Sequence, residues 1–277
     1  MIFNNKIKSF SILLIGLLIF SGCSINEDKP SISQMNTEAN QEADDIYIYL
    51  VRHGKTFFNT TGQVQGWSDT PLTDKGIQGA KEVAEGLKDI SFVTAYSSDL
   101  GRARSTAHYI LEKGDRGGLM AKELTGIREW FYGGYEGKTN AEMWIPIFES
   151  QGLTFDEDWS QYGTLVQKLS DEEISNTIAA NDPTKTAENY SQITERTKQA
   201  IQQIVDETKK AGGGNALAVS HGGEIATILE AFVPGQYKGE DIGNCTVTIL
   251  KVSDGKYSLV SAGDKSFLEK GAAALRK

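Results

Sequence analysis

The chain has 277 residues, of which 39% are hydrophobic and 23% charged, with a formal net charge of −9. That acidity argues against a nucleic-acid surface and against electrostatic docking on acidic membranes, so any anionic ligand must be drawn by a local basic cluster. The hydrophobic content fits a soluble globule rather than a multi-span membrane protein.

At the N-terminus Lys6 and Lys8 precede an apolar stretch from Phe10 to Phe20 and then Ser21-Gly22-Cys23, the layout of a secretory signal peptide over residues 1–23. A bilayer span needs about 20 apolar residues. This stretch is shorter, which favours a cleaved signal. The small residues before Cys23 resemble the bacterial lipoprotein processing box, although Phe20 stands where leucine is usual. The resemblance implies a lipid on Cys23 and a protein exported to the outer face of the cell membrane, held there by that anchor. A plainly secreted form and an uncleaved anchor are the alternatives. Residues 24–45 are polar and without hydrophobic period, as a disordered tether would be. The remainder, residues 46–277, is long enough for one substantial domain with an insertion. With Cys23 assigned to lipid, Cys245 has no disulfide partner and reads as a small apolar residue in a strand from Cys245 to Leu250.

The first predicted strand is the apolar run Ile46 to Val51, ending in Arg52-His53-Gly54. After a loop rich in Thr, Gly and Asn, Thr73 caps a helix whose Ile77, Ala80, Val83, Ala84 and Leu87 recur at helical spacing. A short strand, Phe92 to Tyr96, comes next. Ser97, Ser98 and Asp99 then serve as cap residues for a helix to about Leu111, which puts Arg102 near its anion-favouring first turn. Residues 139–183 read as an insertion with helices near Asn140–Glu149 and Asp171–Ala180. A longer helix, about Glu188 to Ala211, leads through Gly212-Gly213-Gly214 into the strand Ala216 to Ser220 and then His221-Gly222-Gly223. One more helix and strands near Cys245–Val252 and Tyr257–Ser261 complete the domain. This alternation predicts an α/β fold: three layers, α/β/α, with a mostly parallel central sheet and a helical lid over its carboxyl edge.

Two of the three histidines thus close a strand and precede glycine, at the edge where open α/β sheets bind ligands. Arg52, His53, Arg102 and His221 together make a phosphate site. Guanidinium forks match phosphate oxygens and stay charged, and a neutral imidazole can attack phosphorus. Asn59 can add an amide donor to the same oxygens. No cluster of metal ligands stands out, so neither a metal nor another cofactor is expected.

The segments Leu50-Val51-Arg52-His53-Gly54-Lys55-Thr56 with Asn59, Gln65-Gly66-Trp67-Ser68-Asp69-Thr70-Pro71-Leu72-Thr73, Ser97-Ser98-Asp99-Leu100 with Arg102, Arg128-Glu129 with Gly134-Tyr135-Glu136-Gly137, and Val219-Ser220-His221-Gly222-Gly223 resemble the histidine phosphatase superfamily, in its phosphoglycerate-mutase-like branch. The resemblance spans nearly the whole folded part. It implies that His53 is the nucleophile, that Arg52, Arg102 and His221 bind the phosphoryl group, that Glu129 is the proton donor, and that Asn59, Gln65, Gly66 and Gly222 line the substrate site. Phosphoryl transfer supports these roles, since it needs charge neutralised on the equatorial oxygens, an in-line nucleophile and a proton for the leaving alkoxide.

Glu123 and Glu136 are the alternatives to Glu129. His108 reads as a packing or surface residue of a helix and Arg104 as a surface charge, Glu188 and Arg196 as structural ion-pair residues, and Trp130, Phe131, Tyr132, Trp144 and Trp159 as core or lid packing before pocket wall. The leading expectation is hydrolysis of a small phosphomonoester. A cofactor-dependent mutase needs more basic residues than the insertion offers, where Lys168 stands alone. A binding lipoprotein without turnover is the remaining reading.

Overall fold

The computed structural model describes residues 45–114, 116 and 118–277. The expected signal, the lipidation residue Cys23 and the tether up to residue 44 lie outside the described residues. Asp45, the last tether position, is already held by the fold: its carbonyl accepts from Gly214 N at 2.9 Å and its carboxylate pairs with Lys251 at 2.5 Å. Among the described residues no helix is long and apolar enough to cross a membrane.

Among the described residues six strands form one sheet: β1 (Ile46–Arg52), β2 (Phe92–Ser97), β3 (Lys122–Glu123), β4 (Gly214–Ser220), β5 (Val247–Ser253) and β6 (Lys256–Asp264), in the order β3-β2-β4-β1-β5-β6. β3, β2, β4 and β1 run parallel, and β5 is antiparallel to both β1 and β6. β1 lies centrally and is buried on both faces, which is why its sequence is an unbroken apolar run rather than an alternation. Ile46, Ile48 and Leu50 pack with Ile201, Ile204, Ile225 and Ile228, carried by α7 (Tyr190–Lys210) and α8 (Gly222–Phe232). Tyr49 and Val51 face the other way, toward Ala80, Val83 and Leu87 at α2 (Asp74–Gly86) and Ala103 and Ile110 of α3 (Gly101–Leu111). The three expected layers are therefore present.

Register decides where the chemistry lies. Arg52 is opposite Ser220 and Ser97 is opposite Val219, so the parallel strands end level and release His53, Ser98 and His221 from one edge. Beyond that edge lies the insertion, with α4 (Asn140–Ser150), α5 (Tyr162–Leu165) and α6 (Asp171–Asn181). Its cluster of Met143, Trp144, Ile147, Phe148, Leu165, Ile174 and Ile178 is shared with Val64 and Trp130 from loops of the main body. Trp144, Phe148, Phe155, Trp159 and Tyr162 meet edge to face, so these aromatics are packing of the lid itself.

The structure corrects several expectations. Ser97-Ser98-Asp99 do not cap α3, whose N-cap is Leu100 without a side-chain bond; Asp99 pairs with Arg128 instead. Cys245 is not a strand residue. It sits at φ +61° in the turn before β5, donating its N–H to Arg52 O at 3.0 Å. Two helices besides α5 have no signal in the sequence pattern: α1 (Phe57–Thr61), closed by a Thr56/Asn59 capping box, and α9 (Ser266–Leu275) at the C-terminus. α9 packs against α2 backbone to backbone. A Cβ at Gly86 would overlap the carbonyl of Phe267, and one at Gly271 the carbonyl of Glu82. Gly271→Ala should therefore cost about 2 kcal/mol, a fall in Tm of roughly 4–8 °C for a domain of this size, while kcat stays unchanged; an unaltered thermal melt would contradict the packing.

Candidate active site

His53 leaves the end of β1 and is 4% exposed. Its Nδ1 lies 2.8 Å from the carbonyl of Gly54. A carbonyl only accepts, so the proton sits on Nδ1 and Nε2 carries the lone pair. The ring is held from behind: Gly54 N donates to Thr106 Oγ1 at 3.0 Å, His53 N to Ser220 O at 3.0 Å, and Asn244 Nδ2 to His53 O at 2.9 Å. Gly54 has to be glycine because a Cβ there would stand 2.6 Å from Gly76 O.

His221 has the opposite tautomer, by the same reasoning. Arg102 Nε can only donate, and it lies 3.2 Å from His221 Nδ1, so the proton of this fully buried imidazole is on Nε2. The two rings face each other at 5.1 Å between centroids. Among the described residues His221 Nε2 has no hydrogen-bond partner, and neither has Arg52 Nε, whose guanidinium is fixed through Nη1 to Ile242 O at 2.7 Å. Buried N–H groups are ordinarily paired, so two such donors beside a nucleophilic nitrogen form a receptor for anionic oxygen. Gly222 lets Arg52 lie close: a Cβ there would be 3.3 Å from Arg52 Nε.

Burial, reinforced by Arg102 and Arg52, holds the His53 imidazole well below its ordinary 6.5; burial with Arg102 and His53 does the same to His221. Both rings are thus neutral across the physiological range. Apart from the substrate's own ionisation, a profile of kcat/KM against pH should show its acid limb well below 6.5, and a limb centred near 6.5 would contradict this placement. Linkage has a matching sign. The unfolded chain binds more protons between 6.5 and the depressed values, so the stability contributed by neutral histidines is present above 6.5 and lost as pH falls below it.

Arg102 is 1% exposed, and all five of its N–H donors have protein partners. Besides Nε to His221, Nη1 reaches Ser68 O and Asp69 Oδ1, each at 3.0 Å, and Nη2 reaches Gly66 O at 2.6 Å and Gln65 O at 3.4 Å. It therefore sets the tautomer of His221 and braces residues 65–69, rather than opening a free fork to the pocket. Gln65 and Gly66 are likewise engaged: the Gln65 amide bridges Thr56 and Thr70, and Gly66 N donates to Glu136. Asn59 uses its Oδ1 for the Thr56 amide and Asn244, which leaves Nδ2 as its donor toward other groups.

Of the three glutamates weighed as proton donor, Glu129 is the one brought to the histidines. It is 8% exposed and stands at the positive end of α8, whose N-cap is His221: Oε2 accepts from Gly223 N at 3.1 Å, and Oε1 from Glu224 N at 3.0 Å and Trp130 N at 3.1 Å. Glu136 instead ties together the amides of Gly66, Trp67, Ser68 and Tyr132. Glu123 is exposed and pairs with Arg104. His108 is on the surface beside Glu112. Sequence reading missed Asn244, Glu224 and the loop-bracing part of Glu136; none carries a local pattern, although Asn244 next to a turn glycine is a weak hint.

Among the described residues no three His, Cys, Asp or Glu side chains are grouped as a metal would need. Residues 48–265 match the family described as the histidine phosphatase superfamily (branch 1). The chain belongs to this superfamily. It is 31% identical over 231 residues to phosphoglycerate mutase-like protein 4 of Arabidopsis thaliana, covering 83% of this chain and 90% of that one. A metal-independent phosphoserine phosphatase of the same plant is 27% identical over 228 residues, covering 82% and 85%. Among solved structures, a phosphoglycerate mutase from Bacillus anthracis superposes with a TM-score of 0.75 at 37% identity, over 83% of this chain and 99% of that chain. The mixed α/β fold with its mostly parallel six-stranded sheet thus matches that of a phosphoglycerate mutase structure.

Proposed function

We propose that the chain is a metal-independent phosphomonoester hydrolase that works through a phosphohistidine on His53. The observation that carries this is the pairing of a deprotonated Nε2 on His53 with the unpartnered buried donors His221 Nε2 and Arg52 Nε. In the first half-reaction His53 Nε2 attacks phosphorus, the P–O bond to the leaving group breaks, and the carboxyl of Glu129 supplies the proton to the departing oxygen. Arg52 and His221 hold the equatorial oxygens, and Arg102 acts on them as a charge from behind His221. In the second half-reaction a water attacks the phosphoryl group, the P–N bond breaks, Glu129 takes the water's proton, and His53 returns to its neutral form.

Turnover of a labelled phosphomonoester, quenched in alkali in the presence of EDTA, should leave acid-labile label on His53. Label on another side chain, or on none, ends the proposal. Transfer between phosphoglycerates is the second reading, because the Bacillus anthracis relative is named a mutase. Against it, Lys168, the insertion's one basic residue, donates to the carbonyl of Gln151, which leaves the insertion poor in cationic groups for a second anion. Net release of phosphate, rather than interconversion, separates the two. From the sequence we further infer export and anchoring through lipid on Cys23. Cys23→Ala should move the protein from the membrane fraction to the medium or soluble fraction, and an unchanged distribution would refute the anchor.

A further inference from the structure

We propose that Arg196 of α7 is a positioning residue for the proton donor: it fixes the loop from which Glu129 reaches the site. The proposal rests on the reading of Glu129 given above and extends it to a residue that the sequence alone marks only as half of an ion pair.

The loop needs an external clamp. Residues 125–131 form a short 3-10 turn, Thr125–Ile127, followed by extended chain, so most of their carbonyls have no helix or strand to receive them. Arg196 supplies the partners. Its Nη1 donates to Gly126 O at 3.0 Å and to Arg128 O at 2.9 Å, and its Nη2 to Glu129 O at 3.1 Å. Ser220 Oγ takes the intervening carbonyl, Ile127 O, at 2.9 Å. Four successive carbonyls up to Glu129 are thus held by side chains. Gly126 permits the approach, since a Cβ there would stand 2.6 Å from the carbonyl of Arg196.

The guanidinium is itself fixed on two further sides. Glu188 takes Nε at 2.8 Å and Nη2 at 3.0 Å, and its Oε2 also accepts from Phe131 N at 2.9 Å, just beyond Glu129. Glu224, fully buried, takes Nη1 at 2.9 Å while its own backbone N–H donates to Glu129 Oε1. The network therefore holds Glu129 through its main chain at one end and its carboxylate at the other. A planar fork can reach three carbonyls and two carboxylates together, and a lysine ammonium with three donors cannot. An ion pair that served stability alone would need none of the three carbonyls.

The test uses a ratio that misfolding cannot change. Loss of active enzyme lowers kcat/KM equally for every substrate, whereas a displaced proton donor lowers this parameter, which covers only the steps up to departure of the leaving group, where that group needs a proton; activation of water by Glu129 comes later and is common to all substrates. Arg196→Lys is expected to lower kcat/KM on an alkyl phosphate by about 10- to 100-fold and on an aryl phosphate with an acidic phenol by no more than about threefold. Added to Glu129→Gln, it should bring little further loss on the alkyl substrate, because both changes remove one function. Should Arg196→Lys not fold, Glu188→Gln, which loosens the same guanidinium, should shift the ratio in the same direction by a smaller factor. Equal slowing of both substrates by the folded variant, while Glu129→Gln discriminates between them, overturns the positioning proposal alone. Equal slowing by Glu129→Gln removes the proton-donor reading and the proposal with it.

Discussion

His53→Ala is expected to lower phosphate release on the order of 10⁴-fold and to abolish covalent labelling, because it removes the proposed nucleophile beside the donors His221 Nε2 and Arg52 Nε. The imidazole makes one side-chain hydrogen bond, to Gly54 O, so the folded state should survive its removal with a modest fall in Tm. Binding should survive too. Arg52 and His221 keep their places, so the variant should still take up inorganic phosphate or vanadate, measured by calorimetry. A variant that hydrolyses phosphomonoesters within about tenfold of the native rate would show that another group, or water directly, attacks phosphorus.

Glu129→Gln is expected to lower kcat/KM on alkyl phosphates by roughly 10²- to 10³-fold and on aryl phosphates by less than about tenfold, while kcat, which includes attack of water on the shared intermediate, falls for both. Glutamine is the informative replacement, since three backbone amides, Trp130, Gly223 and Glu224, converge on this carboxylate and alanine would leave all of them unpaired. The amide retains one acceptor but turns its NH₂ group toward a backbone donor. A loss of about 1–3 kcal/mol in stability should accompany the kinetic change. Rates compared at a temperature well below the variant's Tm separate the two effects, and equal slowing of both substrate classes would reduce Glu129 to a brace for α8.

The legible part of the molecule is whatever its chemistry forces into local sequence. β1 has to be apolar throughout because it is covered on both faces, and the histidines have to come after strands because only strand ends open onto the sheet's edge. Thr73 announces its helix, and the starts of α4 and α6 are visible in the pattern of the insertion. The illegible features depend on contacts distant in sequence. Arg196 lies 67 residues from Glu129 and Asn244 lies 191 from His53, with no periodicity to join them. α9 binds through Gly271 and Gly86 as well as Phe267 and Leu268, and the closeness of backbones at the glycines leaves only a short apolar stripe for pattern reading to find. Cys245 misleads because a β-branched run comes after it, while its backbone turns into the left-handed region to meet Arg52 O. Arg102 is recognisable as part of the site, yet its engagement with residues 65–69 arises from the fold of that loop alone.

The bond between His53 Nδ1 and the carbonyl of Gly54 also fixes regiochemistry. An imidazole offers two nitrogens, and free histidine can be phosphorylated at either. Here one is masked by a main-chain oxygen, so a single isomer, substituted at the nitrogen remote from the Cβ, is chemically accessible. In the proposed intermediate the same oxygen would face the N–H of a ring that has gained positive charge, which favours the adduct.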